Sequence, residues 1–187
     1  MPTPAFLVEG HMEQLILQRI CGDVPIRKIG VNGDDVGMDV MAKFVETQIR
    51  LLNNRHYPII IIFDRERRVD TCENLKSELF KKLNAKGIAR NQLVIGIPDR
   101  TIENWILSDT EIIEKRYGVT IRQKVFEGDF GKKIIKEAIK NVASYHETTT
   151  GVTLFLECRP AKMKSNSKSF RLFANSVNCR WLQTPGI

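Results

Sequence analysis

The chain has 187 residues, 42% hydrophobic and 27% charged, ordinary for a soluble globular protein and long enough for one domain, with or without an appendage, to bury a real core. A net charge of +7 and a pI near 9.3 tilt the choice of partner toward something acidic, such as nucleic acid. No apolar run approaches the length of a membrane span, and Glu9 interrupts the N-terminus before a signal-peptide core can form, so a cytoplasmic protein without a membrane partner is expected. Cys21, Cys72, Cys158 and Cys179 stand at no metal-ligand spacing and read as reduced thiols.

Ala5 to Val8 is a short apolar run that ends at Glu9-Gly10, a strand followed by a tight turn. From His11 to Cys21, Met12, Leu15, Ile16 and Ile20 recur at helical spacing. Pro25 to Val31 predicts a second short strand, and Asn32-Gly33-Asp34-Asp35 carries turn chemistry. Val36 to Leu52 is an amphipathic helix, and Pro58 to Phe63 is a strand of β-branched residues buried on both faces. A helix over 72–83 stops near Gly87, a fourth strand spans 92–97 up to Pro98-Asp99, and another helix begins at Ile102. Strand and helix thus alternate four times, the pattern of an α/β fold with a parallel sheet of about four strands flanked by helices.

Beyond Tyr117-Gly118 the strand pattern fades. Gly131 to Tyr145 is helical in period, Glu147 to Gly151 reads as a polar link, and Val152 to Leu156 as a short helix. Lys162 to Lys168 is basic and serine-rich, a candidate mobile loop, and Phe170, Leu172, Phe173 and Val177 predict a last helix packing back.

Ligands of open α/β sheets collect at the carboxyl ends of the strands. Asp64 and Glu66 follow the third strand and can share a hard cation such as Mg²⁺, while Arg65, Arg67 and Arg68 suit a phosphate beside it. The same stretch also reads as a surface turn with solvated charges. Glu9 likewise ends a strand, and Glu13 lies one helical turn above it, so Glu9, Glu13, Asp64 and Glu66 can meet at one edge. Four carboxylates raise one another's pKa unless a cation neutralises them, and an all-oxygen set favours Mg²⁺ or Mn²⁺ over zinc.

Val8-Glu9-Gly10-His-Met-Glu13, followed by apolar-apolar-Phe-Asp64-Arg-Glu66, resembles the TOPRIM domain of topoisomerases, primases and OLD-type (overcoming lysogenization defect) nucleases. The version found here looks closest to the OLD type and to small TOPRIM-like nucleases of bacterial defence loci. Glu66 stands where that family's signature has a second aspartate. The resemblance covers residues 5 to about 109 well, so 1–118 is expected to be a TOPRIM-like α/β core and 119–187 a C-terminal helical extension packing on it. It implies a Mg²⁺- or Mn²⁺-dependent nuclease acting on DNA or RNA, with Glu9, Asp64 and Glu66 catalytic and metal-holding and Glu13 a further ligand. Glu9 is alternatively the general acid or base. It further implies a role in antiphage or antiplasmid defence, with an ABC/SMC-like ATPase as partner; a homodimer is a separate expectation, since compact basic nucleases that act on duplex often dimerise.

Other residues carry two readings each. Glu103 can add an acid to the site or serve its own helix, and Asp99 reads as a helix cap in preference to a ligand. Trp105 reads as core, and His11 as a helix-start histidine in preference to a proton shuttle. Lys162, Lys164 and Lys168 suit a nucleic-acid track or plain solubility. No P-loop, dinucleotide fingerprint or nucleophilic triad is present in the sequence. The rivals to a nuclease are a non-catalytic TOPRIM-like subunit that binds nucleic acid or a partner, and an enzyme acting on a small phosphate ester.

Overall fold

The structure, a computed structural model, describes residues 3–31, 36–53, 55–177, 179 and 181. Asp34 and Asp35 lie outside the described residues.

Four strands, β1 (Ala5–Val8), β2 (Ile26–Lys28), β3 (Ile59–Ile62) and β4 (Leu93–Gly96), form one all-parallel sheet in the order β2-β1-β3-β4. β3 is a run of isoleucines, and β1 and β3 are buried at every position, as central strands must be when helices cover both faces. Successive side chains alternate between two layers: Phe6, Val8, Ile60 and Ile62 enter one, and Ala5, Leu7, Ile59 and Ile61 the other.

The first layer contains α1 (His11–Ile20), and the second contains α2 (Met38–Leu51) and α3 (Cys72–Asn84). Thr71 starts α3 by accepting a hydrogen bond from the N–H of Asn74 at 3.1 Å. From β1 the chain steps outward to β2, then crosses back past β1 to β3 and continues to β4. Right-handed crossovers in opposite directions put α1 and the α2–α3 pair on opposite faces. They also make the carboxyl ends of β1 and β3 the topological switch point, where Glu9 and Asp64 emerge. The expected α/β class, with a four-stranded parallel sheet between helices, is what the chain adopts, and it is consistent with a Rossmann-like fold.

After β4 come α4 (Glu103–Leu107) and α5 (Thr110–Tyr117), the latter ended by Gly118 at a left-handed φ of 64°. Among the described residues the helices that follow are α6 (Gly131–Ile139), α7 (Val152–Glu157), α8 (Pro160–Asn166) and α9 (Lys168–Ala174). Residues past Gly118 build much of the wall over the first layer: Ile135, Leu154, Phe155 and Phe170 are buried in one cluster with Phe6 and Ile60. Trp105 belongs to that core, stacked on Phe173 with centroids 5.1 Å apart and donating from Nε1 to Ser169 Oγ at 3.0 Å. Gly96 is the strand position that admits α9, because a Cβ there would collide with the Phe173 ring.

Four local expectations change. The helix predicted over 131–145 ends at Ile139, whose carbonyl accepts from both Val142 and Ala143 at 2.9 Å, turning the chain where Asn141 and Ser144 weaken the helix. The supposed polar link at Glu147–Gly151 is a π-helical turn that runs directly into α7. The supposed loop at 162–168 lies mostly in α8, which opens on Pro160 and buries Met163; Ser167 then caps α9 by accepting from Phe170 N at 3.1 Å. Cys21 and Cys179 are joined in a disulfide rather than reduced, a pairing across 158 residues that spacing could not reveal; Cys72 and Cys158 are free thiols. Among the described residues no helix is long and apolar enough to cross a membrane.

Candidate active site

The loops after β1 and β3 are held together by the residues expected to be functional. Glu9 continues the ladder, its N–H donating to Ile62 O at 3.1 Å, and its Oε2 accepts from the N–H of Asp64 at 3.1 Å. Glu13 on α1 folds back over the end of β1, so close to Gly10 that a Cβ at residue 10 would strike its carboxylate. The spacing Glu9-Gly10-x-x-Glu13 thus has a steric reason: the missing side chain makes room for the second acid. Glu13 is only 5% exposed, and its Oε2 has no hydrogen-bond partner. Asp64 is half-buried as a residue, but its Oδ1 is shielded and also unpartnered.

Glu66 completes the approach from β3. Its backbone sits at φ 51°, with its N–H on Arg100 O at 2.7 Å. From beyond β4, Glu103 enters at 3% exposure, and its Oε1 accepts from the hydroxyl of Tyr145 at 2.9 Å. These five acids line a cleft of about 200 Å³ together with His11, Lys132 and Glu147. Lys132 pairs with Glu147 across it. Lys132, Tyr145 and Glu147 had no signal in the sequence, since α6 and the π-helical turn reach the cleft only through tertiary packing.

The electrostatics follow from crowding. Burial is the largest cause pushing Glu13 up to about 7, with Glu103 and Glu9 adding repulsion. Asp64 is pushed well above the usual carboxylate range, first by burial and then by Glu13, Glu103, Glu9 and Glu66. Burial and Glu103 push the Tyr145 hydroxyl up as well. The Lys132 ammonium is raised, chiefly by its bond to Glu147, with Glu103 and Asp64 contributing. Among the described residues no three Asp, Glu, His or Cys side chains already stand in a metal-binding group. The donor set, all oxygen with two buried orphan atoms, nevertheless suits a hard divalent cation.

The basic residues fall into three groups. Arg65 and Arg68 are buried and organise the loop after β3. Arg65 pairs with Asp99 and donates to the carbonyls of Arg68 and Asp70 at 3.3 Å each; Arg68 donates to Asp64 O at 2.7 Å and Val36 O at 2.9 Å. Asp99 therefore partners an arginine, and the start of α4 has no side-chain cap. Arg67 is the exposed member of the trio. Lys162 pairs with Glu111 and Lys168 with Glu73, while Lys164 is half-buried on α8; none of the three lines the acidic cleft.

No protein-family model, no curated protein and no solved structure matches this chain.

Proposed function

We propose that the protein is a TOPRIM-type, metal-dependent nuclease that hydrolyses phosphodiester bonds in DNA or RNA. One observation carries the reading: Glu13 Oε2 and Asp64 Oδ1 are buried without partners at the switch point of a parallel sheet, beside Glu9, Glu66 and Glu103. Such a site is costly to keep ionised unless a cation completes it. Glu9, Glu13, Asp64 and Glu66 would hold Mg²⁺ or Mn²⁺, which supplies Lewis-acid stabilisation of a phosphoryl oxygen and a nucleophilic water. Lys132 brings an ammonium to the cleft for a phosphate, and Arg67 is exposed on the loop after β3. Tyr145 fixes the orientation of Glu103. The net charge of +7 favours a polyanion over a small ester. A defence role and an ABC/SMC-like ATPase partner rest on the resemblance alone, and a homodimer on the compact, basic character of the chain.

A second reading, a non-catalytic TOPRIM-like binding subunit, draws on the acids that stand apart and on the Lys132–Glu147 pair across the cleft. Incubating the protein with plasmid, single-stranded DNA and RNA in Mg²⁺, Mn²⁺ or EDTA, beside Asp64→Ala and Glu9→Ala, separates the two. Metal-dependent cleavage lost in both variants supports the nuclease. Salt-sensitive binding without cleavage, unchanged in Asp64→Ala, supports the subunit.

A further inference from the structure

Beside the acidic cleft stands an aromatic ring that the core does not use. Phe130 is 43% exposed and immediately precedes α6. Its place is fixed from both sides. Gly131 packs so closely on α4 that a Cβ there would come within 2.7 Å of the Asn104 backbone nitrogen. Asn104 also binds Gly131 N at 3.2 Å through Oδ1 and Asp129 O at 2.8 Å through Nδ2. On the other side Arg100 lies over the ring, its guanidinium 5.3 Å from the centroid. That guanidinium is itself tied, Nε to Gly128 O at 3.0 Å and Nη1 to Glu66 O at 2.8 Å.

The ring is therefore bracketed by two residues of the cleft: Glu66 through Arg100, and Lys132 two positions along the chain. A single exposed phenylalanine is unremarkable by itself. One held in place by a tied planar cation has already lost the freedom that stacking would remove. The loop that carries it is compact, with Gln123 Nε2 donating to Val125 O at 2.7 Å, and it exposes Arg122 and Lys124; Lys133 is exposed on α6. An immobilised ring on a segment that also exposes cations is a combination that binds single strands: a base stacks on the ring and the backbone follows the positive charge. In a duplex the base faces are already occupied.

We propose that Phe130 is a stacking platform for an unpaired nucleobase next to the phosphate in the acidic cleft, which makes single-stranded nucleic acid the substrate class. The link to the cleft rests on the nuclease reading, whereas the stacking contact can be measured without cleavage. The test uses the full chain carrying Asp64→Ala in Mg²⁺, titrated with a single-stranded oligonucleotide containing a fluorescent base analogue, as DNA and as RNA, and with its duplex. The single strand is expected to bind more tightly than the duplex and to be quenched. Phe130→Ala and Phe130→Leu should each weaken it roughly tenfold or more and abolish the quenching, and Phe130→Trp should retain both. Leucine keeps an apolar side chain beneath Arg100, whose own bonds to Gly128 and Glu66 do not involve the ring, so its effect does not reduce to misfolding. Wild-type-like affinity and quenching in Phe130→Leu, or a preference for duplex, would overturn the platform and leave the nuclease standing. No binding of any nucleic acid by the parent protein would overturn both.

Discussion

Glu66 and Arg100 hold each other across the carboxyl edge of the sheet. The N–H of Glu66 donates to Arg100 O at 2.7 Å, Arg100 Nη1 donates to Glu66 O at 2.8 Å, and the two backbones sit at φ 51° and 80°. Non-glycine residues in this region cost about 1 kcal/mol or more each and persist where surrounding bonds over-determine them. The mutual grip links the loops after β3 and β4 and sets where the Glu66 side chain starts. Glu66→Gly should therefore leave stability unchanged or raise it by up to about 1 kcal/mol in urea unfolding. Metal-dependent cleavage should fall at least about tenfold, as expected when one charged ligand is lost. A clear loss of stability would show that the left-handed backbone is not strained.

Glu13 is a buried acid with an unpartnered oxygen that gains from neutralisation. In EDTA at pH 8, Glu13→Gln should stabilise the protein by about 1–3 kcal/mol, because it removes a buried, unpartnered charge while keeping the shape. The same variant should weaken Mn²⁺ binding, read by calorimetry. Equal Mn²⁺ affinity in both proteins would take Glu13 out of the ligand set.

The pH dependence of the metal-free protein follows from the same carboxyl. The Glu13 pKa is raised from 4.5 to about 7 in the fold, so between those values the folded state binds the extra proton. Its contribution is fully present below pH 4.5 and is lost as pH rises through about 7, on the order of 3 kcal/mol in all. Chemical denaturation in EDTA should thus find a more stable protein near pH 5 than near pH 8, and saturating Mn²⁺ should flatten or reverse the trend. A stability that rises from pH 5 to 8 without metal would contradict the raised pKa.

Tyr145→Phe removes one oxygen from a buried contact. Glu103 Oε1 loses its 2.9 Å donor, and stability should drop by about 1–3 kcal/mol. If Tyr145 only positions Glu103, Tyr145→Phe should lower cleavage without changing Mn²⁺ affinity. A variant as stable and active as the parent would make the contact incidental.

The Cys21–Cys179 bond ties the end of α1 to the far end of the described chain, across 158 residues. Cys179→Ser should cost about 2–4 kcal/mol, chiefly by releasing the unfolded chain. Reductant should then lower the Tm of the parent and leave that of the variant unmoved. No response of the parent to reductant would show that the bond does not form in solution.

Sheet and helices were readable because each leaves a period. Ile59 to Ile62 can be little other than a strand buried on both faces, and Met41, Val45 and Ile49 of α2 recur on one face of a helix. Glu9, Glu13, Asp64 and Glu66 were readable because they follow strands or sit one turn above one. The arginines show the limit. Arg65 and Arg68 look in sequence like phosphate ligands, yet carbonyls of their own loop and Asp99 take up their hydrogen bonds. Composition cannot distinguish a guanidinium that faces solvent from one that closes a loop.

By itself the sequence determined the alternation of strands and helices as far as α4, and the acids that follow β1 and β3 or stand one turn above β1, since hydrophobic period and turn chemistry act within a few residues. The tertiary structure alone decided what completes the cleft: Glu103 over a capping role, Tyr145 on Glu103, and Lys132 paired with Glu147. Those pairings join residues up to tens of positions apart. They depend on how α6 and the π-helical turn dock on the sheet edge, which is set by packed volume and burial rather than by any local pattern.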